Sequence, residues 1–117
     1  METSVPVTMH DIDGGVTVAT LRGRIDIAGA QEIDLPMNVL AGSKRRVVID
    51  LSQVEFLASM GIRSIVLAAK SILSKRGTCG LVAPPGNVRL VIESAGIDTI
   101  IPTFDTLEQA VKAASPG

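Results

Sequence analysis

Apolar positions along this chain change their spacing several times, and each change marks an element. Val47-Val48-Ile49 is a continuous β-branched run ending at Asp50, the pattern of a parallel strand covered on both faces. Leu51 to Ala58 keeps neither the strand nor the helix period and reads as a short irregular crossing. From Ser59 the period becomes helical. Ile62, Ile65, Val66, Ala69, Ile72 and Leu73 fall on one apolar stripe, and the serine hydroxyl can satisfy an amide of the first turn. Lys75 and Arg76 suit the negative end of that helix, and Gly77 is expected to turn left-handed and stop it.

Upstream, Val5 to Ile12 and Val16 to Leu21 are β-prone runs around Asp13-Gly14-Gly15, which predicts a hairpin. Gly23 to Asp26 leaves the second strand, and a helix is expected from about Ala28 to Leu40. Pro36 should kink it, stop it early or split it. Gly42-Ser43-Lys44 is a loop. Downstream, a strand over Thr78–Val82 is broken by Ala83-Pro84-Pro85-Gly86, and a helix from Asn87 to Ala95 should bury Val88, Val91 and Ile92. Gly96 ends it. Ile100-Ile101 reads as a minor strand before Pro102, Thr106–Ala114 as a last helix through Leu107, Ala110 and Val111, and Ser115-Pro116-Gly117 as a frayed tail. Helices alternating with strands after a hairpin predict an α/β domain, a mixed sheet with a parallel portion and about four covering helices.

Composition narrows the function. At 117 residues the chain is long enough for one domain with a core of its own. Phe56 and Phe104 are the only aromatics and the net charge is −1, so base-stacking platforms and a general pull on phosphates are both missing. Nucleic-acid binding is not expected. Cys79 is a lone cysteine within a strand-like run, which suits a small buried hydrophobe and excludes an internal disulfide. The first residues lack a basic start followed by an apolar core, and no window is long enough to span a bilayer; a cytoplasmic protein is the expectation. His10 has no second histidine or cysteine to join it at a metal. Ser59 has no signalled base, and no phosphate loop or dinucleotide fingerprint is present, so no enzyme activity and no cofactor are expected.

Ser59 is the strongest candidate for chemistry, because reactive groups in open α/β sheets collect beyond the carboxyl ends of strands, where helices begin. The plainer reading is a helix cap. Gly61 would let either a partner or the chain's own neighbours approach the first turn, and Asp26 and Asp50 at strand ends read first as turn-formers or caps. Met60, Ser64, Leu67 and Ser71, with Arg63 beside them, fall opposite the buried stripe. There Met60 and Leu67 would make a small apolar contact patch, unless Leu67 packs beneath a neighbouring helix.

Asp50 to Ile62, with Ser59-Met60-Gly61 opening the helix behind Phe56-Leu57-Ala58, resembles the signature of the STAS domain family, specifically the bacterial anti-sigma factor antagonists. Leu21-Arg22-Gly23-Arg24-Ile25-Asp26 resembles the family's second-strand motif, and the closing order of elements matches as well. The resemblance implies that Ser59 is a phosphoacceptor. A partner anti-sigma factor with serine kinase activity, which brings the ATP, would modify it, and a serine phosphatase would restore it. It also places Asp26 near Ser59, where it would shape the kinase contact; with Ala58, Gly61 and the helix-face residues Met60, Arg63, Ser64 and Leu67 it makes up the expected partner-binding set. Ala58 is a departure, since many relatives carry an aspartate there, and its absence removes one negative charge beside Ser59. Two rivals stand beside this reading. One is a STAS subunit working by constitutive contact, in a transport complex or a signalling scaffold. The other is a response-regulator receiver phosphorylated on Asp50, which lacks support from a lysine before a late proline, because Ala83 precedes Pro84.

Overall fold

In the computed structural model, which describes residues 7–12 and 14–115, the expected hairpin is present. Strand β1 (Val7–Ile12) pairs antiparallel with β2 (Val16–Ile25), Met9 opposite Ala19. Residues 5, 6 and 13 of the predicted hairpin lie outside the described set. Helix α1 (Ile27–Ser43), strand β3 (Arg46–Leu57), helix α2 (Ser59–Ser74) and strand β4 (Thr78–Val82) follow, then helix α3 (Asn87–Ser94), a 3-10 turn at Ile97–Thr99, the two-residue strand β5 (Thr103–Phe104) and helix α4 (Leu107–Ala114). The five strands lie in the order β1-β2-β3-β4-β5, and every pair after the hairpin is parallel.

The strand period sorts side chains onto two faces. Val47, Ile49 and Leu51 join the large core beneath α1, α2 and α3, through Ile33, Met37, Ile65, Ile72 and Ile92. Val48 points the other way, into a smaller cluster with Val16, Val18, Val82, Ala110 and Ala114 under α4. The mixed α/β architecture is the one the alternation implied.

The stretch from Leu51 to Leu57 corrects the sequence reading. It is not an irregular crossing but the second half of β3. Its pairing with β2 slips between Thr20 and Arg22 and again between Gly23 and Arg24. Each slip inserts an extra residue, so Leu51, Val54 and Leu57, spaced by three, are all buried in the large core. Asp50 sits at the first slip, 5% exposed, where Oδ1 accepts a hydrogen bond of 2.9 Å from the Ser52 amide. It is therefore inside the strand rather than at its end, and its carboxylate is committed to the bulge.

Other expectations are corrected as well. Helix α1 runs unbroken through Pro36, because Ala30 and Ile33 on one side and Met37, Leu40 and Ala41 on the other are all buried on the same face. Packing outweighs the lost hydrogen bond. On α2, Ile62 and Val66 are only half-buried and Leu73 is exposed, while Gly61, Ser64 and Ala68 are buried instead. That helix ends in a Schellman motif, Gly77 N–H donating to Ile72 O at 2.9 Å and Arg76 N–H to Leu73 O at 3.0 Å. Arg76, not Gly77, takes the left-handed conformation (φ 66°). Gly77 is required for space, since a Cβ there would stand 2.5 Å from Arg45 O and 2.7 Å from Ile72 Cγ2. Near the C-terminus the minor strand follows Pro102 rather than preceding it, and Ile100-Ile101 closes the 3-10 turn. Thr106 caps α4 in a box with Gln109. Leu107 is exposed, Val91 and Val111 are half-buried, and Ser115 is tied to Val111 O through both its amide and its hydroxyl.

Cys79 is buried as expected, and burial alone pushes its thiol up to about 12.

Three measurements check this account. Gly77→Ala is expected to lose on the order of 1–3 kcal/mol in urea unfolding, through overpacking against backbone. Arg76→Gly is expected to gain roughly 1 kcal/mol by removing a side chain from the left-handed region. For Cys79, the unfolded chain releases its thiol proton near pH 8.5, whereas the native protein holds it to about 12. The contribution of this group is thus complete below about pH 8.5 and is lost as pH rises toward 12. Native protein should resist a thiol reagent at pH 8 and react once unfolded, and wild type should lose more stability than Cys79→Ala between pH 8 and 10.

Candidate functional site

Both α1 and α2 begin at the carboxyl end of the parallel strands, side by side. Leu57 closes β3, and the amide of the next residue, Ala58, donates to Ile25 O at the end of β2 (2.9 Å). Ala58 is the N-cap of α2, with extended backbone and no side chain able to accept. The first helical bond is Ile62 N–H to Ala58 O at 3.0 Å, which leaves the amides of Ser59, Met60 and Gly61 without an intrahelical acceptor. Ser59 is the first residue inside the helix, one position too late to cap it, and the expectation of a capping hydroxyl is corrected. Its side chain is exposed, and among the described residues none forms a hydrogen bond with it.

Gly61 explains how that turn is held. A Cβ at Gly61 would lie 2.5 Å from Ile25 Cγ2 and 3.0 Å from Leu57 Cδ1. Of the two readings of this glycine, close approach of the chain's own neighbours is the one the geometry supports. Asp26 stands next to Ile25 as the N-cap of α1, its Oδ1 accepting from Gly29 N–H at 2.9 Å. Asp26, Ala58, Ser59 and Gly61 thus meet at one end of the sheet.

Met60 (45%) and Leu67 (54%) are exposed on the outer face of α2, together with Arg63. Leu67 does not pack beneath a neighbouring helix. Ser64 leaves that face: it is buried, its hydroxyl donating to Asp34 Oδ1 on α1 and lying 3.2 Å from Met60 O. Between the two helices runs a groove of about 220 Å³ lined by Asp34, Asn38, Met60, Arg63, Ser64 and Leu67. Asp50 is not part of this site, and the buried, bulge-bound carboxylate removes the basis for a receiver.

Among the described residues no three His, Cys, Asp or Glu side chains cluster to hold a metal, and no helix is long and apolar enough to cross a membrane. His10 is exposed on β1. Sequence reasoning missed Asp34, whose link to Ser64 needs the packing of α1 against α2 to be known. It also missed the pairing of Arg24 with Phe56, the guanidinium carbon 4.5 Å from the ring centroid. The rarity of aromatics in the chain was the one available signal for that pair.

Comparisons with known proteins identify the family. The STAS domain family model matches residues 8–110. The anti-sigma-F factor antagonist RsfB of Mycobacterium tuberculosis is 33% identical over 115 residues, covering 97% of this chain and 93% of the relative. The crystal structure of an anti-sigma factor antagonist from Mycobacterium paratuberculosis superposes with a TM-score of 0.85 at 33% identity, covering 95% of this chain and 94% of that one. SpoIIAA of Bacillus, solved in its phosphorylated form, shares the fold at a TM-score of 0.70 and 16% identity, covering 92% of this chain and 97% of that one. The chain belongs to the STAS domain family, among relatives named as anti-sigma factor antagonists.

Proposed function

We propose that this protein is an anti-sigma factor antagonist switched at Ser59. With the hydroxyl free it binds an anti-sigma factor that doubles as its serine kinase, and so releases a sigma factor. Phosphorylation of Ser59 ends the contact, and a serine phosphatase renews it. The observation that carries this reading is the exposed, unengaged hydroxyl at the uncapped start of α2, beside the exposed Met60, Arg63 and Leu67. The near full-length likeness to proteins named as antagonists supports the partner class.

The proposed contact face comprises Met60, Arg63 and Leu67 on α2, with Asp26 and Ala58 at its edge. Gly61 and Ser64 hold it from beneath. Phosphoserine adds about −1.5 to −2 charges and three acceptor oxygens. In the free protein the open amides and the helix dipole favour such an anion. A partner pressed onto the same turn meets bulk and charge that have lost their water. Binding falls and the fold stays.

Incubation with candidate serine kinases from the source genome and ATP, followed by phosphate mapping, tests the site; label is expected on Ser59. Ser59→Ala should bind the anti-sigma factor and resist labelling. Ser59→Asp should lose binding while its thermal midpoint stays within a few degrees or rises, since an acidic residue in the first turn contributes about 0.3–1 kcal/mol. Unchanged binding by Ser59→Asp, or stable contact with transport proteins and no label, would favour the constitutive scaffold. A further check concerns the empty cap: Ala58→Asp should raise stability by about 1 kcal/mol, because the backbone at Ala58 is already extended as a cap requires.

A further inference from the structure

Phe56 and Arg24 sit at the same end of the sheet as Ser59, and the proposed switch does not use them. The two residues are register partners across β3 and β2, directly after the second slip in that pairing. Arg24 lies with its guanidinium carbon 4.5 Å from the Phe56 ring centroid. Phe56 remains 38% exposed. The chain's other aromatic, Phe104, is half-buried and packs against the α4 cluster.

The local backbone is arranged to hold this pair outward. Two slips within a few residues interrupt the β2–β3 ladder, and Gly23 between them adopts φ +78° with open space where a Cβ would go, so the glycine serves the turn of the chain rather than packing. The slips keep Val54 and Leu57 in the core and leave Phe56, between them, turned out. Bulges of this kind re-aim side chains beside functional sites.

The charge of the pair indicates what would cover it. Among the described residues the ion pairs are Lys44–Asp11, Arg89–Glu93 and Arg89–Asp105, and Arg24 belongs to none. Arg24 is exposed, with its guanidinium seated over the ring. Arginine and aromatic side chains are the residue types that dominate protein interfaces when desolvated together.

We propose that Arg24 and Phe56 form a second anchor for the anti-sigma factor, the ring entering an apolar pocket on that protein while the guanidinium pairs with a carboxylate at the pocket's rim. The inference rests on the reading that an anti-sigma factor docks around Ser59, and it extends the docking face from α2 across the ends of β2 and β3. The bond between Ala58 N–H and Ile25 O ties the two parts of that face together at 2.9 Å.

The test is calorimetric titration of the cognate anti-sigma factor with wild type, Ser59→Asp, Phe56→Ala, Arg24→Glu and Arg24→Lys at low and moderate salt, after thermal midpoints have been compared. Phe56→Ala and Arg24→Glu are expected to weaken binding by about tenfold or more. Arg24→Lys should recover only part of the loss, because an ammonium cannot reproduce the planar, stacked contact. Arg24→Glu should also bind with a weaker or inverted salt dependence, a change that a merely structural residue would not cause. If Phe56→Ala fails to fold, the exposed Arg24 variants carry the test. Folded Phe56→Ala and Arg24→Glu proteins that bind within about twofold of wild type, while Ser59→Asp does not bind, would overturn the anchor and leave the switch standing. Failure of wild type itself to bind any anti-sigma factor of the source genome would remove both.

Discussion

The first turn of α2 rests directly on the ends of β2 and β3, and nothing larger than hydrogen fits at Gly61 beneath it. That contact sets the helix against the sheet at one end, and Gly77 does the same at the other, with Arg45 O 2.5 Å from where its Cβ would be. Between them the inner face carries Ser64, Ala68 and Ala69 among the larger Ile65 and Ile72, so α1 and the sheet both come close. A helix seated this tightly has little freedom to roll. Its outer face, and the hydroxyl that opens it, are thereby aimed from below.

The second half of β3 solves a related problem. A strand that kept its period of two beyond Leu51 would place either Val54 or Leu57 on the wrong face. Two slips against β2 restore both to the core, and Asp50 accepts the Ser52 amide where the ladder is first interrupted. The carboxylate on which a receiver would depend is thus consumed by a structural task. The same irregularity turns Phe56 outward and seats Arg24 over it.

Most of the architecture was legible, because strand and helix periods, the Gly-Gly turn and the Thr106 cap are local signals that agree with the fold. The failures share a cause. Leu51–Leu57 looked aperiodic because its spacing of three is meaningful only against a slipped neighbour, and neighbours are not local information. Pro36 looked like a breaker because the cost of proline is local, whereas the burial of Ile33, Met37 and Leu40 that offsets it is tertiary. At the site, the exposed positions of Ser59 and Met60 were legible, and that of Leu67 was open between exposure and packing beneath a neighbouring helix. The burial of Ser64 was not legible, since its partner Asp34 lies 30 positions away on a helix whose docking no period reports. Ser59 itself was given a cap's role that the helix start, one residue earlier at Ala58, denies it.

That last displacement bears on how a switch here would work. A serine that capped α2 would spend its hydroxyl on the backbone, and a phosphoryl group there would have to break a structural bond before it did anything else. Placed one residue later, beyond a cap that offers no acceptor, the hydroxyl has no structural duty, and the amides beside it have no intrahelical acceptor. An anion added there in the free protein would find donors and a favourable dipole. Beneath a bound partner the same anion would be stripped of water on its outer side, where taking charge out of solvent costs several kcal/mol unless it is paired. The direction of the proposed switch would follow from the difference between those two environments. The fold need not move.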